Sequence, residues 1–288
     1  MASTRQLKSR VKSVKGTRQI TKAMQLVAGS KMRRAQEVAN QVQLYSEAAR
    51  ELLTYLRSLP DTRTHHLFTE RPVKVRLIVL ITSDKGLAGA YNANAIKRYV
   101  ERLRIDKAKG VSNKTICIGR KASQFVARLK NVEVTGVYEG FPERPTENDL
   151  QPIINTIITQ FSDLKVDAVE AIYTEYQNSL TQTAATKQLL PAGFQETAVS
   201  SAVSQSSFEP SVEDVLEATT RRLIAVQLYQ AYLDSVASEQ SMRMIAMKNA
   251  TDNAGDLIDD LTLEMNKVRQ AGITQELAEI SGGAEAMK

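Results

Sequence analysis

A chain of 288 residues, 42% hydrophobic but only 5% aromatic, holds enough material for one or two domains with a real core. It contains no run of about 18 apolar residues, which excludes a membrane-spanning helix, and its single cysteine, Cys117, excludes an internal disulfide. The formal net charge of +6 is unevenly spread: residues 1–59 carry twelve Lys/Arg against three Asp/Glu, and residues 212–288 carry seven against thirteen.

The N-terminal segment, 1–59, reads as one helix. Ser3 and Gln6 form a capping box that starts it at Thr4, and Pro60 ends it at Leu59 by disfavouring the helical conformation of its predecessor. Ala35, Val38, Val42, Tyr45, Ala49, Leu52, Leu56 and Leu59 alternate three and four apart, a heptad seam meant for another helix. Leu7, Val11 and Val14, then Ile20, Met24 and Val27, continue it less regularly. Gly16 and Gly29 each cost about 1 kcal/mol against alanine and suggest close helix approach or bending. No acid precedes Glu37. Such a basic, amphipathic start imitates a transit peptide, but the heptads run past the length of one. A nucleic-acid arm is a competing reading, without a base-reading module or interleaved aromatics. A coiled-coil arm with a basic outer face explains both seam and charge.

After a polar linker, 61–71, the period changes. Strands are expected at Val73–Thr82 (VKVRLIVLIT), Thr115–Gly119, Val132–Tyr138 and Val166–Tyr176, with an edge strand at Leu180–Leu190. Helices at Asn92–Leu103, Lys121–Leu129 and Thr146–Phe161 alternate with them, the last opened by a weak Thr146/Asp149 box. That alternation implies a doubly wound, Rossmann-like α/β domain over 72–192. Its first strand–loop–helix carries Gly86 and Gly89 but neither G-x-G-x-x-G nor G-x-x-x-x-G-K-[ST], so no phosphate cradle is expected. No Ser-His-Asp, Cys-His or paired-carboxylate constellation stands out, and His65-His66 lack the further ligands a zinc site needs. No catalytic, cofactor-binding or metal-binding residue is therefore assigned.

Pro191–Pro210 is a Ser/Ala/Gln-rich link. Ser211 and Asp214 cap a last helix in the segment 211–288. Met247, Thr251, Ala254, Ile258, Leu261, Met265 and Val268 form its seam, and Met242, Met244 and Met247 read as seam too. From Val212 to Ile280 the rise is about 100 Å at about 1.5 Å per residue, longer than a compact domain needs. The fold expected is α/β: a long antiparallel coiled coil of the N- and C-terminal helices, with the Rossmann-like domain inserted between them.

Ile20–Gln36 (ITKAMQLVAGSKMRRAQ), Ile81–Asn92 (ITSDKGLAGAYN), Ala237–Ile258 and Asn266–Ile280 together resemble the γ-subunit family of F-type ATP synthases, over essentially the full chain. The resemblance implies a rotor shaft with no catalytic site or cofactor of its own, inside an α3β3 ring. It implies a foot domain against the ε subunit and the c-ring, no nucleic-acid partner, and a peripheral place on the cytoplasmic side of a bacterial plasma membrane. It places Arg269, Gln270, Thr274 and Glu276 against a catch loop of β. It places Lys22, Met24, Lys85 and Arg243 towards the acidic lever region of β, with Arg243 across from the Met24 segment. The regulatory segment of chloroplast members, with its cysteine pair, does not fit in Pro191–Pro210. With no presequence pattern read at its start, a bacterial source is the expectation, a processed mitochondrial form the alternative. An α/β enzyme with helical arms and a basic nucleic-acid binder are the competing classes.

Overall fold

The computed structural model describes residues 4–58, 65–130, 132–142, 146–193, 209 and 211–286. In chain order they form α1 (Thr4–Ser58), a short 3-10 turn (His66–Phe68), β1 (Val75–Ile81), α2 (Tyr91–Ala108), β2 (Ser112–Ile118), α3 (Arg120–Val126), β3 (Glu133–Tyr138), α4 (Glu147–Ser162), β4 (Ala168–Tyr176), β5 (Gln182–Leu190) and α5 (Val212–Ala286). The Ser3 half of the expected N-terminal box, the stop at Leu59–Pro60 and most of the 191–210 link lie outside the described residues. The chain divides into two compact units, residues 30–242 and residues 1–29 with 243–288, so both boundaries fall inside the long helices.

In the 30–242 unit the five strands are ordered β3-β2-β1-β4-β5. β1 runs parallel to β2 and β4, with Leu80 paired to Cys117 on one side and to Ile172 on the other. β5 closes the edge antiparallel to β4. Because β1 (VRLIVLI) is covered on both sides, it is apolar on both, as a central parallel strand requires. Leu77, Val79 and Ile81 face one way, packed with Ile153, Ile157 and Phe161 of α4 and with Ile224, Leu228 and Tyr232 of α5. Ile78 and Leu80 face the other way, against Tyr99 of α2 and Ala122 and Val126 of α3. Each such side chain contributes about 1.5–3 kcal/mol by leaving water. The C-terminal part of α1 packs its own seam on α5, with Ala49, Leu53 and Leu56 against Leu216 and Leu223.

Both described caps form as the sequence predicts. Thr146 donates its backbone N–H and hydroxyl to Asp149 at 2.6 and 2.8 Å. Ser211 donates to the Asp214 carboxylate at 2.6 Å and accepts the Asp214 N–H at 3.1 Å.

In the other unit α1 and α5 pair antiparallel. The Thr21 and Thr251 hydroxyls meet at 2.8 Å; a Cβ on Gly29 would stand 3.2 Å from Met244 Sδ, and one on Gly255 3.7 Å from the Arg18 guanidinium carbon. The expected seam at Ile20, Met24 and Val27 is displaced by one residue. Thr21 and Ala28 are buried instead, Met24 is half-buried, and Ile20 and Val27 are 63% and 53% exposed. On α5 the expected seam holds, with Met247, Thr251, Ala254 and Ile258 buried.

Candidate functional site

The first βα loop lies where open α/β sheets bind ligands, beyond the carboxyl ends of the strands. The chain's own groups occupy it. Thr82 Oγ1 accepts the Ala122 N–H at 2.8 Å and donates to the Ile118 carbonyl at 3.2 Å. Asp84 accepts the backbone N–H groups of Arg120 and Gly140 at 2.9 and 3.0 Å. Asn92 accepts the Ser83 N–H at 3.0 Å. The amide at the start of α3 that would welcome a phosphate thus already faces a carboxylate. Tyr232, Ser235, Val236 and Glu239 of α5 wall the remaining cleft, beside Tyr91 and Phe141. Burial, and then the negative charge of Glu239 and Asp84, push the Tyr232 phenol pKa up. Among the described residues no group of three His, Cys, Asp or Glu is placed to hold a metal, and no helix is long and apolar enough to cross a membrane.

The surface is more informative than the cleft. Arg269, Gln270, Thr274 and Glu276 are all exposed on α5. Thr274 donates its hydroxyl to the Gln270 carbonyl at 2.9 Å, inside the helix, so it contributes little to local tethering. Counting from the Arg18–Gly255 approach, Arg269 is level with Thr4, the first described residue of α1. Beyond it α5 carries Ile273, Leu277 and Ile280, at i, i+4 and i+7 on one face and 50%, 61% and 70% exposed. Sequence reading assigned no role to this stripe, although its spacing was visible.

Lys22 is exposed and donates to Gln25 at 3.3 Å. Counting three residues on from Thr21 and three back from Thr251, Met24 is level with Lys248. Arg243, half-buried, is next to Met244 and so level with Gly29. The expectation that Arg243 stands across from Met24 is therefore corrected: the pairing fixed at Thr21–Thr251 puts more than one helical turn between them. Lys85 is exposed on the loop between β1 and α2, in the 30–242 unit. Beside it Leu87 is 63% exposed with φ +62°, a left-handed backbone rare for a side chain of that size.

Comparison with known proteins matches this fold over its length. A family model described as ATP synthase aligns with residues 3–287. The ATP synthase gamma chain of Opitutus terrae is 41% identical, covering 98% of this chain and 97% of the relative. That of Stenotrophomonas maltophilia is 38% identical over 100% of both. Among solved structures, a chain of the Tetrahymena thermophila mitochondrial ATP synthase central stalk and c-ring superposes with a TM-score of 0.62 at 27% identity, over 80% of this chain and 99% of that one. A chain of the Euglena gracilis mitochondrial ATP synthase gives 0.66 at 18% identity, over 99% and 94%, a likeness of fold alone.

Proposed function

The chain belongs to the γ-chain family of ATP synthases, and from that premise we propose that it is the rotating central shaft of an F-type enzyme, without a catalytic site of its own. Its partners are the α3β3 ring, the ε subunit and the c-ring, and through the c-ring it is peripheral to the cytoplasmic face of a bacterial plasma membrane. Proton flow turns the c-ring, and this chain turns with it.

The observation that carries the reading is the end of α5. From Arg269 to Ser281 every side chain whose burial is described is exposed, yet Ile273, Leu277 and Ile280 line one face. An apolar stripe on a single helix needs a wall to cover it. Arg269 offers forked donors beside the stripe, suited to carboxylate or carbonyl groups of a β catch loop, with Gln270, Thr274 and Glu276 around it. Lys22, Met24 and Arg243 on one unit, and Lys85 on the other, each offer a basic or thioether group to an acidic lever region of β.

The mechanism is differential stabilisation. A shaft face that favours one β conformation over another by a few kcal/mol shifts its population by orders of magnitude, and rotation moves that bias from one catalytic site to the next. The filled first βα loop supports a mechanical role over a ligand-binding one.

The test is co-expression with α and β subunits. A soluble complex holding one copy of this chain per three αβ pairs, with ATPase activity that depends on its presence, is expected. Folded α and β subunits that never associate with the chain would sink the reading.

A further inference from the structure

The pairing of α1 with α5 through Thr21 and Thr251 is not the one hydrophobicity alone would choose. One residue is about 100° of helix rotation, so the buried set Thr21 and Ala28 and the outward set Ile20 and Val27 are alternative settings of one helix about its axis. Burying Ile20, Met24 and Val27 would remove more apolar surface from water than burying Thr21, Gln25 and Ala28. Something must oppose that gain.

Two features do. The Thr251 hydroxyl is 2.8 Å from both Thr21 Oγ1 and the Met247 carbonyl, and Thr21 Oγ1 is 3.1 Å from the Arg18 carbonyl. The two hydroxyl protons can be shared in either direction, and neither buried group is orphaned. Rotation of α1 would separate the pair and leave the Thr251 hydroxyl with only the Met247 carbonyl of its own helix. Around it Ala28, Gly29, Ala254 and Gly255 keep this face low, and Gly29 already stands close to Met244. Small residues let two short hydroxyls meet where isoleucine would not fit.

We infer that Thr21 and Thr251 are positioning residues: their hydrogen bond sets the rotation of α1 and so keeps Ile20 and Val27 turned out on either side of Met24, as an apolar border around it. A buried polar pair that selects one helix setting at some expense of hydrophobic burial is a known use of such groups. That the border meets the lever region of β rests on the function proposed above; the rotational setting itself does not.

The experiment uses the full-length chain with Val27→Cys or Ala28→Cys and a small water-soluble maleimide. The native Cys117 is buried, and burial pushes its thiol up to about 11, so its background is slow. With both threonines present, position 27 labels much faster than position 28. Thr21→Val or Thr251→Val keeps the shape and removes the bond; each is expected to slow labelling at 27, speed it at 28 and narrow the ratio by roughly threefold or more. Serine at the same site keeps the hydroxyl and restores the ratio. Simple fraying would speed position 28 without slowing 27. An unchanged ratio in both valine variants, a rise at 28 alone, or serine behaving as valine would each overturn the inference. Failure to assemble with α and β would instead count against the shaft reading and leave the labelling result standing.

Discussion

Arg76 of β1 and Glu170 of β4 meet at 2.6 Å inside the sheet, and the same arginine reaches Asp106 of α2 at 3.0 Å. Arg102 closes the cluster on Glu170 at 2.6 Å. The Asp106 side chain is 1% exposed. Removing one partner of such a cluster strands a buried charge, which costs about 3–5 kcal/mol. Arg76→Ala is therefore expected to lower the unfolding free energy of the full chain, read from urea titration, by that amount, far more than the Lys165–Asp163 pair, exposed on both sides, would lose. A drop below about 1 kcal/mol would show that Arg102 alone satisfies both carboxylates.

Asp234 of α5 gives the protein a stability component with an unusual sign. Burial, and to a lesser degree Glu175, raise its carboxyl from the ordinary 3.8 to about 6, with Lys187 opposing them. A raised carboxyl binds its proton more tightly in the folded chain than in the unfolded one, so this component is present below about pH 4 and is lost as pH rises through about 6. The span is about 3 kcal/mol at most. Asp167, Asp149 and Glu139 are held below the ordinary carboxylate range and act in the opposite sense, so the comparison must be with Asp234→Asn. That variant is expected to be more stable than the parent at pH 7, with the difference closing towards pH 4. A pH-independent difference would place Asp234 in water.

The sequence made the elements legible wherever one period or one cap dominates: β1 through its unbroken apolar run, α4 through Thr146 and Asp149, the start of α5 through Ser211 and Asp214. It misplaced the α1 seam at Ile20, Met24 and Val27 because hydrophobic periodicity cannot see a hydrogen bond between residues 230 positions apart. The Arg76 cluster was equally invisible, since its charges are scattered along the chain and read as ordinary surface. The contact residues came from motif resemblance, and the stripe through Ile273, Leu277 and Ile280 was passed over because the seam was followed only as far as Val268.

Gly119 is a point where side-chain volume is forbidden. Its φ is +91°, and a Cβ there would overlap the Thr82 carbonyl oxygen, a backbone atom of β1's continuation that cannot move aside. Gly119→Ala is expected to destabilise the α/β unit by roughly 3 kcal/mol or more. Thermal melts of the full chain read this directly, and a melting temperature within about 2 °C of the parent would mean that the β2–α3 turn can re-form elsewhere.

Arg269 and Gln270 separate folding from function. Both are exposed on α5, so Arg269→Ala with Gln270→Ala should change the chain's own stability by less than about 0.5 kcal/mol. In the assembled enzyme the same two changes would leave β groups without donors; each unmet buried partner costs about 1–3 kcal/mol. The expected outcome is a double variant that melts like the parent, yet assembles poorly or hydrolyses ATP with reduced proton pumping in membrane vesicles. Normal assembly and normal pumping would remove these residues from the contact and move the search along α5 to Ile273, Leu277 and Ile280, whose exposed stripe would then have to carry the grip by apolar burial alone.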